Sequence, residues 1–135
     1  MILIDTHSHI YYKDYTETID DIISEANDQG IKKIISVGVD LKTSEQCINL
    51  ADKYNCVFAA CGYHPHESDQ APKRYLYELE QFSTHPKVIS IGEIGLDYYY
   101  NISNPKIQKR VFQEQLELAS DIQLPYIIHC RDSDQ

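Results

Sequence analysis

The chain of 135 residues alternates short apolar runs with longer segments in which apolar residues recur every three or four positions. Apolar runs rich in β-branched residues lie at 1–6, 31–39, 57–61, 88–94 and 125–130, and they predict five strands. The four intervening segments have the spacing of amphipathic helices. Because the strand runs are continuously apolar, they predict a parallel sheet covered by the helices.

Capping residues predict where the helices begin and end. The first helix is expected over residues 16–29, where Gly30 is well placed to stop it. The second helix is predicted to start at a capping box formed by Thr43 and Gln46. The third is predicted to have Pro72 in its first turn, and the fourth to have Asn104 as its cap and Pro105 as its first residue.

This β-α-β-α-β-α-β-α-β order is compatible with two architectures. One is a five-stranded doubly wound sheet, and the other is a TIM-like (β/α) barrel that stops after its fifth strand. A complete barrel needs about 250 residues. The strand pattern does not distinguish the two architectures, so the placement of the polar residues becomes the deciding evidence.

Composition narrows the class of protein. No apolar run approaches the ~20 residues that cross a membrane, and the N-terminus lacks the features of a secretory leader, so we expect a cytoplasmic protein with no membrane partner. None of the four cysteines forms a C-x-x-C pair, which favours reduced thiols over zinc ligands or disulfides. The net charge of -9 argues against a large basic surface for nucleic acid, but not against a phosphodiesterase that contacts phosphate through metal ions.

Histidines and one carboxylate follow the C-terminal ends of the predicted strands, the edge at which parallel α/β proteins bind ligands. His7 and His9 are two apart, so in an extended chain both imidazoles face one side and can reach one metal ion. Asp5 shares their parity and can hydrogen-bond such a ligand. An ordinary strand-end turn is the alternative. The other members are His64, His66, Glu93 and His129.

Glu93 ends the fourth strand between apolar residues, where a carboxylate is costly unless it is paired or metal-bound. Its two oxygens can contact two cations, and the alternative is a salt bridge to Arg131 or a cap for the following loop. His129 and Arg131 share parity at the end of the fifth strand. Arg131 suits phosphate or carboxylate, and its alternative is a structural pair with Asp97 or Asp132.

Two loops carry further candidates. His64 and His66 flank a proline and either bind substrate phosphate or merely cap an exposed turn. The tyrosines at 98–100 can stack on a base, although packing over the loop is the favoured interpretation.

Taken in order, these motifs resemble the TatD family of metal-dependent hydrolases, and the resemblance spans essentially the whole chain. The family implies a TIM-like barrel with two divalent ions, such as magnesium, zinc or manganese, and deoxyribonuclease activity on DNA contacted through phosphate. The matching stretches are IDTHSH at 4–9, CGYHPHE at 61–67, IGEIGLDY at 91–98, QEQLELA at 113–119 and IIHCRD at 127–132.

The resemblance also implies a role for each matching residue. The metal ligands would be His7, His9, Glu93 and His129. Glu93 and Arg131 would be catalytic, and His64, His66 and Arg131 would contact substrate. Residues 1–135 would form the N-terminal part of a single barrel domain. The family pattern has a further histidine after strand six and an aspartate after strand eight, which are absent here, so this chain is expected to be impaired.

Three other functions stay open at this point. A related amidohydrolase would cleave a C–N or ester bond, including that of an aminoacyl-tRNA, with the same metals. A non-catalytic binding or scaffold protein would bind no metal tightly. A doubly wound phosphate-binding domain would need a glycine-rich phosphate loop, and the sequence contains none.

Overall fold

The computed structural model describes residues 1–133, which form one five-stranded parallel sheet. The spatial order of its strands is the chain order, without the reversal that defines a doubly wound sheet. The fold is therefore half of a (β/α) barrel, as one of the two predicted architectures requires. The strands are β1 (Leu3–Ser8), β2 (Ile31–Val37), β3 (Val57–Cys61), β4 (Val88–Asp97) and β5 (Tyr126–Arg131).

Four helices connect the strands and cover the sheet with their apolar sides. The main core contains Ile34, Cys47, Val57, Leu79 and Val111, all buried. A smaller cluster joins β4 to the last helix. That residues 1–135 belong to a single barrel domain stays a prediction. The helices are α1 (Ile19–Asp28), α2 (Leu41–Lys53), α3 (Tyr75–Ser83) and α4 (Pro105–Asp121), and a 3-10 helix spans Pro65–Gln70.

Two of the predicted helix boundaries are wrong. Asp40, not Thr43, caps α2: its carboxylate accepts from the Thr43 amide at 2.7 Å, and the Thr43 hydroxyl turns back to the Asp40 amide. The third helix starts at Tyr75 rather than at Pro72, whose carbonyl instead closes a turn with the Tyr75 amide.

Two other boundary signals agree with the structure, whereas the predicted span of the first helix does not. Asn104 caps α4, with Pro105 in its first turn. The first helix is shorter than predicted because Thr18 forms the capping box with Asp21. Gly30 follows this helix with a φ of +91°, a conformation that favours glycine.

Two strands run further than predicted and thereby carry site residues. β1 continues to Ser8, and β4 continues to Asp97. The outer strands β1 and β5 form the two edges of the sheet, where Ile4 and Ile128 are 59% and 51% exposed. Within residues 1–133 both edges of the sheet are therefore open. Across residues 1–133, none of the helices is sufficiently long and apolar to traverse a membrane.

Two buried glutamines of α4 hold the ends of β3 and β4. The Gln115 side chain accepts from the Tyr63 amide at 2.7 Å and donates to the Tyr63 carbonyl at 3.1 Å. Gln108 makes the same pair of bonds with the backbone of Asp97, at 2.9 and 3.1 Å. Because both amides are fully buried, losing either would leave backbone groups without partners. These clamps fix the segments that carry the candidate site.

Candidate metal centre

The four side chains predicted to bind metal converge at the C-terminal edge of the sheet. Glu93 Oε2 lies 3.2 Å from Nε2 of His7 and 3.8 Å from Nε2 of His9. Its other oxygen, Oε1, lies 3.0 Å from Nδ1 of His129. The two carboxylate oxygens of Glu93 thus face imidazoles from opposite ends of the described chain.

The side chains that pair with Glu93 in residues 1–133 are histidines, and no lysine or arginine is among them. The residue is buried, with 8% of its surface exposed. Within residues 1–133 it forms no ion pair with Arg131, so the alternative of a salt bridge between them is wrong. A nearly buried carboxylate surrounded by imidazoles matches the donor set of a divalent cation.

His9 is held by the end of β2. Its Nδ1 donates to the Val37 carbonyl at 2.8 Å, and the Tyr11 hydroxyl donates to the same carbonyl at 2.9 Å. Burial lowers the pKa of His9, although the Val37 carbonyl opposes this shift. With the proton on Nδ1, the Nε2 lone pair points toward Glu93. Metal-binding histidines are oriented by backbone carbonyls in this way.

His129 is held in the same manner by a carboxylate. Its Nε2 donates to Asp97 Oδ2 at 2.9 Å, so in a neutral ring Nδ1 keeps its lone pair, 3.0 Å from Glu93 Oε1. Asp97 is fully buried, and its Oδ1 accepts from the amides of Tyr99 and Tyr100. Burial would raise the pKa of Asp97, but the bonds from the Tyr100 amide and the two histidines lower it to about 2. Asp97 is therefore a fixed anion.

His64 lies against His129 and Glu93 but presents a proton rather than a lone pair. Its Nδ1 accepts the His66 backbone amide at 3.1 Å. Burial lowers the pKa of His64 to about 4, so at neutral pH the single proton of the ring sits on Nε2. This Nε2 lies 3.1 Å from Nδ1 of His129 and 3.9 Å from Oε1 of Glu93. His64 is thus a hydrogen-bond donor at the centre of the cluster.

His66 is anchored to the same buried carboxylate as His129. Its Nε2 lies 2.8 Å from Asp97 Oδ2. The edge of its ring meets Tyr100, with ring centroids 5.5 Å apart. His66 therefore lines the cleft and is not isolated on an exposed turn.

Arg131 is paired with aromatic rings. Its guanidinium lies 4.2 Å from the ring centroid of Tyr99 and 4.6 Å from that of Tyr100. No carboxylate within residues 1–133 pairs with it, so the predicted alternative of a structural ion pair with Asp97 or Asp132 is wrong. Tyr99 and Tyr100 are more than half exposed, which does not fit the expectation that they pack over the loop, whereas Tyr98 is only partly exposed.

The separations between donor atoms suit a cation. Two nitrogen ligands on one tetrahedral ion at 2.0–2.1 Å lie roughly 3.3 Å apart. The Nε2 atoms of His7 and His9 are 3.3 Å apart. Three groups have donor atoms within 4.8 Å of one another: His7, His9 and Glu93; His64, Glu93 and His129; and His66, Asp97 and His129.

Sequence reasoning missed the part that Asp97 and Tyr12 play in this cleft. Asp97 was considered only as a partner of Arg131, although its even spacing from Glu93 along β4 was a usable signal. Tyr12 was not considered, and its ring stacks on His9 at 5.0 Å. Asp5 accepts the backbone amide of His7 and does not orient its ring.

Comparisons with known proteins support the class of protein that the motifs predicted, a metal-dependent hydrolase. The family described as "TatD related DNase" matches residues 4–135. A relative from Bacillus subtilis (strain 168), named "Uncharacterized metal-dependent hydrolase YabD", is 35% identical over 99% of this chain and 52% of its own length. The "3'-5' ssDNA/RNA exonuclease TatD" of Escherichia coli (strain K12) is 35% identical over 86% of this chain and 45% of its own length. The chain thus spans about half the length of these relatives.

Solved structures of TatD-family proteins have the same fold as this chain over about half of their length. The crystal structure of YjjV, a TatD homolog from Escherichia coli K12, has a TM-score of 0.89 and 30% sequence identity, and the match covers 96% of this chain and 51% of that one. A TatD family hydrolase from Entamoeba histolytica has a TM-score of 0.85 with 26% identity, over 98% of this chain and 50% of that one. With its sequence matched over residues 4–135 and its half-barrel matched by these structures, the chain belongs to the TatD family.

Proposed function

We propose that the chain is part of a divalent-metal-dependent phosphodiesterase that cleaves DNA, with two ions such as Mg²⁺, Mn²⁺ or Zn²⁺. His7, His9 and one oxygen of Glu93 would hold the first ion, and His129 with the other oxygen would hold the second. The printed names of the relatives, a metal-dependent hydrolase and a single-strand DNA and RNA exonuclease, support this proposal.

One observation carries the proposal. Glu93 Oε2 is 3.2 Å from a β1 histidine, and Oε1 is 3.0 Å from the β5 histidine. A carboxylate whose two oxygens face two sets of imidazole nitrogens can bridge two cations.

When bound, a pair of divalent ions lowers the pKa of water and stabilises the attacking and leaving oxygens of a displacement at phosphorus. The residues of the chain provide positioning and charge around them. His64, with its proton on Nε2, can donate to a non-bridging phosphate oxygen. Arg131 brings a permanent positive charge to the cleft that suits the developing charge of a phosphodiester. A guanidinium favours this anionic substrate over the neutral C–N bond that an amidohydrolase would cleave.

The proposal includes a cytoplasmic location. All four cysteines are free thiols, which agrees with a reducing compartment.

The test is removal of the bridging carboxylate. Glu93→Gln keeps the shape of the side chain but replaces one cation-facing oxygen with an amide. We expect loss of both Mn²⁺ binding, measured by calorimetry, and cleavage of end-labelled single-stranded DNA with Mg²⁺ or Mn²⁺. Glu80→Gln, at an exposed position on α3, is the matched control for loss of one charge.

Circular dichroism establishes that both variants are folded. Retained cleavage by Glu93→Gln would contradict the bridging role. Cleavage of a cyclic amide or an aminoacyl ester in place of DNA would identify the rival hydrolases. Absence of Mn²⁺ binding by the unmodified chain would favour a non-catalytic scaffold.

A further inference from the structure

The cleft that contains the candidate metal centre has exposed aromatic rings on two sides. It has a volume of about 280 Å³, and both Tyr12 and Tyr100 line it. Tyr12 follows β1 and is 46% exposed, whereas Tyr100 follows β4 and is 53% exposed. About half of the surface of each tyrosine remains exposed, so packing in the core does not by itself explain these two positions.

Each ring is held in place by a residue of the site. Tyr12 lies nearly parallel to the imidazole of His9, with centroids 5.0 Å apart and planes inclined by 12°. Tyr100 lies under the guanidinium of Arg131 and meets the edge of His66. The rings are thus positioned by side chains that face the proposed ions and phosphate, and they border the space a substrate would enter.

The charge of the cleft determines which ligand suits these rings. Arg131 is the single arginine or lysine among the cleft residues in the described part of the chain, and it is held by tyrosines instead of being neutralised by a carboxylate. The cleft also holds the carboxylates of Glu67, Glu93 and Asp97, so an anionic group suits it beside Arg131 and the proposed cations, and the two exposed rings suit flat groups on either side of that anion. A nucleotide chain with unpaired bases has this form, and aromatic side chains bind such bases by stacking.

We propose that Tyr12 and Tyr100 are specificity-determining residues that stack on the two unpaired bases flanking the phosphate held at the metal centre. Such stacking would account for the single-stranded substrate in the printed name of the exonuclease relatives, because base pairing and stacking in a duplex cover the base faces that the tyrosines need. This inference rests on the proposed function, and it adds a selectivity that the metal ligands cannot supply, since every phosphodiester presents the same phosphate to them.

The experiment compares two fluorescent hexanucleotides with cleavage-resistant phosphorothioate linkages, one of thymidine and one entirely abasic. Fluorescence anisotropy with Mn²⁺ present measures their affinities for the unmodified chain, Tyr12→Ala and Tyr100→Ala. We expect each substitution to weaken binding of the thymidine hexamer roughly 5- to 150-fold. We expect the affinity for the abasic hexamer to change little, because Tyr99 still contacts Arg131 and the Val37 carbonyl still holds His9.

Matched variants separate stacking from general damage. Tyr12→Phe and Tyr100→Phe keep the ring and should bind the thymidine hexamer within about twofold of the unmodified chain. Tyr77→Ala should have no effect, since Tyr77 is a comparably exposed tyrosine on α3 that also contacts an arginine, Arg74 at 4.8 Å, but lies outside the cleft.

The outcomes distinguish this inference from the proposed function. Equal affinity of the unmodified chain for the two hexamers, or tighter binding of a duplex than of the single strand, would overturn the stacking role while Glu93-dependent cleavage still stood. Failure of the unmodified chain to bind both Mn²⁺ and either hexamer would overturn both. Weakened binding of the thymidine hexamer alone supports the inference.

Discussion

Replacing Asp97 by asparagine should weaken metal binding although Asp97 is not itself assigned as a ligand. The carboxylate accepts four hydrogen bonds: two backbone amides at Oδ1, and Nε2 of His66 and His129 at Oδ2, 2.8 and 2.9 Å away. Asparagine has one acceptor oxygen. If that oxygen still accepts hydrogen bonds from the two backbone amides, the NH₂ group of the asparagine side chain faces the two imidazole nitrogens that donate to Asp97.

The consequence reaches the metal centre through the tautomer of His129. To accept from the new NH₂ group, Nε2 must lose its proton, which moves to Nδ1. That nitrogen lies 3.0 Å from Glu93 Oε1 and would then donate to the carboxylate in place of offering its lone pair to a cation. Loss of such an orienting partner lowers metal affinity about 10- to 100-fold, which corresponds to roughly 1.4 to 2.7 kcal/mol.

Calorimetric titration with Mn²⁺ measures this loss directly. Asp52→Asn is the control, because Asp52 also pairs with a histidine, His85 at 3.0 Å. His85 precedes β4 and therefore lies at the N-terminal ends of the strands, away from the metal centre. We expect the control to bind Mn²⁺ with the affinity of the unmodified chain. If folded Asp97→Asn also binds Mn²⁺ with unchanged affinity, the argument that Asp97 sets the tautomer of His129 is refuted.

Two further predictions concern the scaffold. Removing the α2 cap with Asp40→Ala should lower the free energy of unfolding in urea by about 1 kcal/mol, whereas Asp40→Asn should lose less because it keeps a capping oxygen; equal losses would contradict the capping role. Burial raises the pKa of the Cys47 and Cys61 thiols to about 12, so roughly one in ten thousand is ionised at pH 8. Exposed Cys130 should therefore react with a thiol reagent before the two buried thiols do. Mass spectrometry of the labelled peptides measures the order of labelling, and labelling of Cys47 before Cys130 would contradict the described core.

The fold followed from the sequence as far as local patterns determine it. The apolar runs located all five strands, but they could not order them, since β/α alternation is common to a barrel and to a doubly wound sheet. The start of α2 was misplaced because Asp40 and Thr43 are both capping residues, and the sequence does not say which side chain turns back. That choice depends on where β2 ends.

The candidate site was predictable where spacing along a strand decides which side chains share a face. Parity placed His7 beside His9, and the shared edge of a parallel sheet brought Glu93 to them. The group that orients His9 is the backbone carbonyl of Val37, which no side-chain pattern reveals. Tyr12 lies beyond the predicted strand, in a turn whose direction the sequence leaves open.

The central claim is that the Glu93 carboxylate lies between two cations. Anomalous diffraction from crystals of the chain grown with Mn²⁺ tests it most directly. We expect two peaks, one beside His7 and His9 and the other beside His129, each next to a different oxygen of Glu93. A single peak away from Glu93, or none at saturating Mn²⁺, would contradict the claim.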